Sequence, residues 1–193
     1  IGSALSCIRI LQDVYGKMKT GDKFIFSKVS GGSALYAVLV QRGLLSKYRV
    51  AEILKKYPLP SKEINGVIHG IGSLGHGLPV ACGLAYADRK HNVYVLMSDG
   101  EIQEGTTWES ILFARQHNLT NLKVIVDRNG LQACGKTEEI LGVEKGLKLL
   151  NQLFPIEVVK TIKGEGVDFA ENRYEWHYKN LTPELLERAL KQL

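Results

Sequence analysis

Cysteine is scarce in this 193-residue chain: Cys7, Cys82 and Cys134 are the whole set, odd in number and widely spaced. No Cys-x-x-Cys or Cys/His pair has zinc spacing, which argues against a metal knuckle. Reduced thiols in a cytoplasm are expected instead. Cys82 lies in an apolar run and reads as a small buried hydrophobe. No apolar run approaches the length of a membrane span, and no signal peptide is visible. The chain does not begin with Met, which leaves room for residues upstream. Basic residues outnumber acidic ones by only 25 to 20, and Lys55-Lys56 is their densest cluster. Without a basic stripe and interleaved aromatics, no nucleic-acid partner is expected. A mildly basic balance still suits anionic ligands such as sugar phosphates or a diphosphate. Internal repeats, low-complexity tracts and linker-like stretches are absent as well.

What remains is an ordinary globular composition, 45% hydrophobic and 23% charged. At this length one domain over 1–193 with a sizeable core is expected. Leu5, Ile8, Leu11, Val14 and Met18 have helical spacing. A short strand is predicted at Lys23–Ser27, a helix capped by Ser33 through Arg42, and another capped by Ser46 that ends before Pro58. The glycine-rich turn Gly72–Gly77 leads into a helix over Leu78–Arg89. Strands at Val93–Ser98 and Leu122–Asp127 flank a helix at Thr107–His117. A helix near Val143–Leu153 precedes a strand at Ile156–Ile162, and Thr182-Pro183-Glu184 starts a last helix. Strands alternating with helices predict an α/β fold with a doubly wound, mostly parallel sheet flanked by helices.

Two strand candidates end in an unusual way. Val93 to Ser98 runs into Asp99-Gly100, and Val124 to Asp127 into Arg128-Asn129-Gly130. Carboxyl ends of parallel strands line the ligand crevice of such sheets. Mg²⁺ takes about six oxygens, usually one or two from carboxylates and the rest from phosphate and water. Asp99, the Asn129 side chain and a backbone carbonyl near Leu131 can offer three. Gly100 brings a backbone N–H close to a phosphate. Taken singly, Asp-Gly and Asn-Gly are also ordinary turns after strands.

The pair has a further property: thirty positions separate Asp99 from Asn129. This resembles the thiamine diphosphate motif. Gly72-Ser-Leu-Gly-His-Gly-Leu78, Ser98-Asp-Gly-Glu-Ile-Gln-Glu-Gly105, Lys163-Gly-Glu-Gly166 and Trp176-His177 resemble the N-terminal half of transketolase. The likeness runs from Ile1 to about Leu141 and from about Pro155 to Leu181. It is nearest to the split form, whose first subunit carries only the diphosphate-binding half.

The resemblance implies a shortened thiamine-diphosphate-binding fold with Mg²⁺ and thiamine diphosphate as cofactors. Asp99, Asn129 and Leu131 would hold the metal, and Gly72, Leu74 and Gly100 the cofactor. His177 would reach the diphosphate and the reacting carbonyl, where a neutral or protonated imidazole could stabilise an alkoxide. Glu104 would stand at a subunit contact. Glu101, Glu104 and Glu109 together also read as a solvated acidic helix start. The glutamate that activates the aminopyrimidine would come from a partner, the pyrimidine-binding C-terminal subunit. The implied activity is two-carbon ketol transfer between sugars or sugar phosphates, with no membrane partner.

The pattern departs from the family in five places. The family's N-terminal Gly-His pair precedes a segment like Ile1 to Ser6, so its histidine would lie before the first residue here. A Ser-Lys-Gly-His motif stands as Ser27-Lys-Val-Ser30, which turns a histidine into Ser30. No Gly-His-Pro occurs around Tyr57-Pro-Leu-Pro60, and Tyr178 replaces a glycine after His177. Between Leu141 and Pro155 one short helix stands where the family has a helix, a strand and an Asp-Gly-His loop, so an exposed sheet edge is expected. These departures keep two other readings open. One is a degenerate, non-catalytic or regulatory subunit. The other is an E1 α-type subunit that works on a 2-oxo acid.

Overall fold

The computed structural model describes residues 1–70 and 72–193. Helix α1 (Gly2–Lys17) precedes strand β1 (Lys23–Phe26), followed by α2 (Gly32–Gln41), α3 (Val50–Lys56) and α4 (Gly77–Ala87). Strand β2 (Val93–Ser98), helix α5 (Gly105–Gln116) and strand β3 (Leu122–Arg128) come next. The chain closes with α6 (Thr137–Ile140), α7 (Glu144–Leu153), β4 (Ile156–Lys160) and α8 (Pro183–Leu190). All four strands are parallel, in the order β1-β2-β3-β4 without reversal.

Side-chain alternation along the strands divides the core between two faces. Ile25, Val93, Val95, Met97, Val124 and Val126 pack under α4, α5 and α7. Phe24, Phe26, Leu96 and Ile125 pack under α1, α2 and α3. Both faces are thus covered, which is why the strands read as continuous apolar runs. Each fully buried Leu or Val contributes about 1.5–3 kcal/mol relative to exposure. A smaller cluster of Val167, Phe169, Ala170, Trp176 and Ala189 seats the C-terminal segment that carries His177.

Local chemistry differs from expectation at two points. Ser33 does not cap α2: the helix starts at Gly32 after a 3-10 turn over Val29–Gly31, with Gly31 at the cap. Ser46 holds the cap position of a 3-10 turn at Lys47–Arg49, without a side-chain bond, ahead of α3. Thr182 does cap α8, accepting from the Leu185 amide at 3.3 Å. The shortened middle leaves β4 at the sheet edge. There Val158 is exposed between the exposed Glu157 and the half-buried Val159, with Lys160 exposed beyond. Charges at these positions discourage edge-to-edge pairing.

Candidate functional site

The parallel register brings four strand ends to one rim. Ser98 lies opposite Asp127, and Arg128 opposite Lys160. Ser27-Lys28, Ser98-Asp99, Asp127 to Asn129 and Thr161 to Lys163 therefore leave the sheet on the same side. A cleft of about 700 Å³ opens there. Gly72, Leu74, Asp99, Gly100, Asn129, Leu131 and His177 all line it, so residues up to 105 positions apart share one cleft. Ser30 and Tyr178 line it too, where the resemblance would place an imidazole and a glycine, and so does Leu59 of the Tyr57–Pro60 stretch that lacks a Gly-His-Pro. Tyr178 is 80% exposed and sets its ring edge against His177, the centroids 4.7 Å apart. Glu104 stands apart from the cleft, half-buried at the N-terminus of α5. A Cβ on Gly75, whose φ is +76°, would come within 2.7 Å of the Glu104 Cβ. His76 is exposed and its Nδ1 lies 3.0 Å from the Leu74 carbonyl oxygen.

Asp99 is almost wholly enclosed. Its Oδ2 accepts from Arg128 Nη1 at 2.9 Å and from the Gly130 amide at 2.7 Å. Arg128 is held in turn by Glu138 at 2.5 Å. Among the described residues no donor reaches Oδ1, which leaves that oxygen to a ligand. The Asn129 Oδ1 accepts from the Leu131 amide at 3.0 Å and keeps a second lone pair. The Leu131 carbonyl oxygen accepts from Lys163 Nζ at 3.3 Å and keeps a second lone pair. No group of three His, Cys, Asp or Glu capable of holding a metal occurs among the described residues. The one oxygen-only set here, with a single carboxylate, suits Mg²⁺ completed by phosphate, and does not suit a softer metal. The residues present fit the metal and a diphosphate.

Two lysines line the cleft in different ways. Lys28 commits all three N–H groups, to the Ser3 carbonyl at 2.8 Å, Ser6 Oγ at 2.8 Å and Asp127 Oδ2 at 2.7 Å. It offers a field and no direct donor. Asp127 is fully buried and also accepts from Ser6 and Thr161. Burial, then the nearby Lys28 charge, pushes the Lys163 ammonium down to about 8. Lys163 donates to His177 Nδ1 across 3.0 Å. An ammonium can only donate, so Nδ1 is an acceptor and the proton of the neutral ring sits on Nε2. Burial first, then the Lys163 and Lys28 charges, pushes His177 down to about 4. The imidazole is therefore neutral at pH 7, with its N–H on Nε2.

Sequence reasoning missed Lys28, Asp127 and Arg128, and took Lys163 only as a loop former. Their signal was a charge at or just past the end of an apolar strand run. It also took Glu101 as part of a solvated helix start. Glu101 is 0% exposed, inside a 3-10 turn over Asp99–Gln103. Burial pushes its carboxyl above the usual range, against hydrogen bonds from Ser27 and Ser98 that favour the charge.

Comparison with known proteins places the chain in a family. The family model "Thiamine pyrophosphate enzyme, C-terminal TPP binding domain" matches residues 47–193. The A-subunit of the apulose-4-phosphate transketolase of Phocaeicola vulgatus is 30% identical over 240 residues, covering 100% of this chain and 85% of that protein. The chain belongs to the transketolase family. The corresponding protein from Actinobacillus succinogenes is 32% identical and covers 100% of this chain and 86% of its own length. Human transketolase is 31% identical over 89% of this chain, but only 33% of that enzyme is matched. This transketolase-family chain thus corresponds in extent to one subunit of the split form, and to a third of the undivided enzyme. Its alignment with the P. vulgatus protein spans 240 positions against 193 residues here, so that relative carries segments this chain lacks. A transketolase variant from Pichia stipitis shares the fold, with TM-score 0.80 at 17% identity over 97% of this chain and 36% of that one. No helix of the described residues is long and apolar enough to cross a membrane.

Proposed function

We propose that this chain is the diphosphate-binding subunit of a split transketolase. It holds Mg²⁺ and thiamine diphosphate in the rim cleft and transfers a two-carbon ketol unit between sugars. The observation that carries the reading is the convergence of Asp99, Asn129, the Leu131 carbonyl, Gly72, Leu74, Gly100 and His177 on that cleft. Bound thiamine diphosphate supplies the nucleophilic carbon and the electron sink for the transfer. Asp99 Oδ1, Asn129 Oδ1 and the Leu131 carbonyl hold the metal. The Gly100 turn approaches the phosphates, while Lys163 and the field of Lys28 balance their charge. Gly72 and Leu74 contact the cofactor's organic part. His177 turns Nε2–H toward the substrate oxygen and stabilises charge that develops there. A separate pyrimidine-binding subunit supplies the glutamate that activates the cofactor, and Glu104 lies at a subunit contact.

The reading is tested by mixing the chain with a candidate partner, Mg²⁺ and thiamine diphosphate, then assaying ketol transfer. Apulose 4-phosphate, for which the two bacterial relatives are named, is the first substrate to try. His177→Phe is expected to lower the rate about 10²–10³-fold, the range for one preorganised donor. A loss below about threefold would remove His177 from the substrate contact, since that is far under the donor range. Ser30 and Leu59 in the cleft wall favour a second reading, a cofactor-binding subunit without catalysis. Cofactor binding with no turnover of any ketose phosphate or 2-oxo acid would select it.

A further inference from the structure

One fully buried carboxylate beside the cleft, Glu101, does not face it. Glu101 Oε2 accepts from the Ser98 amide at 2.6 Å and from the Ser98 hydroxyl at 2.9 Å. The Ser27 hydroxyl donates to Oε1. Ser27 Oγ in turn accepts from the Gly77 amide at 3.2 Å. A Cβ on Gly77 would collide with the Ser27 Cβ and Oγ, so the two segments touch directly.

One carboxylate thus ties together three segments, each of which delivers a wall of the cleft. Ser98 precedes the metal aspartate, Ser27 precedes Lys28, and Gly77 closes the turn that carries Gly72 and Leu74. A local cap on the 3-10 turn would explain the bonds to Ser98. It would not explain the arm through Ser27 to Gly77. Burying a carboxylate is costly, and an apolar residue would fill the space at no such cost. Packing alone therefore leaves this residue type unexplained.

We propose that Glu101 is a positioning residue that fixes the metal-binding turn at Asp99 relative to the glycine-rich turn at Gly72–Gly77. The inference rests on the cofactor reading above. Through it the metal ligand and the cofactor's glycine-rich cradle keep one spacing, set by a bond chain that contacts neither ligand.

The test is equilibrium titration with Mn²⁺ and inorganic pyrophosphate, whose proposed site lies wholly within this chain. Free Mn²⁺ is followed by electron paramagnetic resonance. The original chain, Glu101→Gln, Ser27→Ala and the double variant are compared well below their ligand-free melting temperatures. Glu101→Gln and Ser27→Ala are each expected to weaken binding by about 10–100-fold, as outer-shell partners of metal ligands do. The double variant should be no weaker than Glu101→Gln, because both changes break one arm. A purely structural role would move the melting temperatures and leave affinity at low temperature unchanged. That result, or a double variant whose loss is the product of the two singles, overturns the proposal. Ser27→Ala keeps the carboxylate and its bonds to Ser98, so it tests the arm even if Glu101→Gln folds poorly. Absence of binding by the unaltered chain would overturn the cofactor reading itself, and the inference with it.

Discussion

Asp99→Asn is expected to abolish the rise in melting temperature that Mg²⁺ plus thiamine diphosphate gives the unaltered chain. On the proposed reading the two carboxylate oxygens of Asp99 have separate duties. Oδ2 is taken by Arg128 and the Gly130 amide, while Oδ1 is the oxygen proposed to meet the metal. An amide has one oxygen. If that oxygen stays with Arg128 and Gly130, an NH₂ group faces the cation. If it turns to the cation, the NH₂ meets two donors. Either orientation loses the site, and the charge is lost in both. A ligand at about 100 times its dissociation constant stabilises by about 2.7 kcal/mol. For a domain of this size that is roughly 5–10 °C. Thermal melts of the two proteins, with and without metal and cofactor, read the difference. An equal rise in the variant would remove Asp99 from the metal site. No rise in the unaltered chain, even beside an associating partner subunit, would sink the cofactor assignment.

Lys28→Met is expected to cost stability heavily, by about 3–5 kcal/mol, because it leaves Asp127 charged and buried without its partner. Lys28 and Asp127 lie 2.7 Å apart with side chains 2% and 0% exposed, so solvent screens little. The loss should depend on pH. Burial by itself would raise the Asp127 pKa, but the Lys28 charge and the bonds from Lys28, Thr161 and Ser6 outweigh it and hold the group below the usual range. A depressed carboxyl contributes stability that is present above the unfolded value, near about 4, and is lost as pH falls through the folded value. Without the Lys28 charge, burial raises the Asp127 carboxyl in Lys28→Met, so the variant takes up the proton first and the gap to the unaltered chain should narrow as pH falls from neutral toward the depressed value of the unaltered chain. Urea unfolding at neutral pH and at about pH 3 measures it. A gap that stays constant would show that the pair contributes nothing through its charge.

Much of the fold was legible because burial on both faces of a sheet imposes long β-branched runs. Each strand candidate appears within two residues of its expected end, and so do α5 and α7. The helix starts were less legible. Ser33 looks like a cap in sequence, yet Gly31 and Gly32 turn first, since packing against Cys7, Phe26 and Pro60 leaves no room for a side chain there. Glu101 was misjudged for a related reason. A run of acidic residues at a helix start is ordinarily solvated, and only the contact of β1 with α4 encloses Glu101.

The cleft divides along the same line. Asp99, Asn129 and the glycine turns announce themselves by chemistry and spacing, because a hard cation and a diphosphate demand oxygen ligands and close backbone, wherever the chain goes. Strand order, by contrast, decides which distant side chains meet. Lys28 reaches Asp127 only because α1, β1 and β3 come together at one rim, and Lys163 fixes the proton on His177 only because two C-terminal loops cross. Motif chemistry and spacing, with the family resemblance they carry, pointed to the ligands proposed for this cleft. Tertiary structure decided the charges, the proton positions and the rigidity of that site, since these depend on burial and on neighbours that lie far apart along the chain.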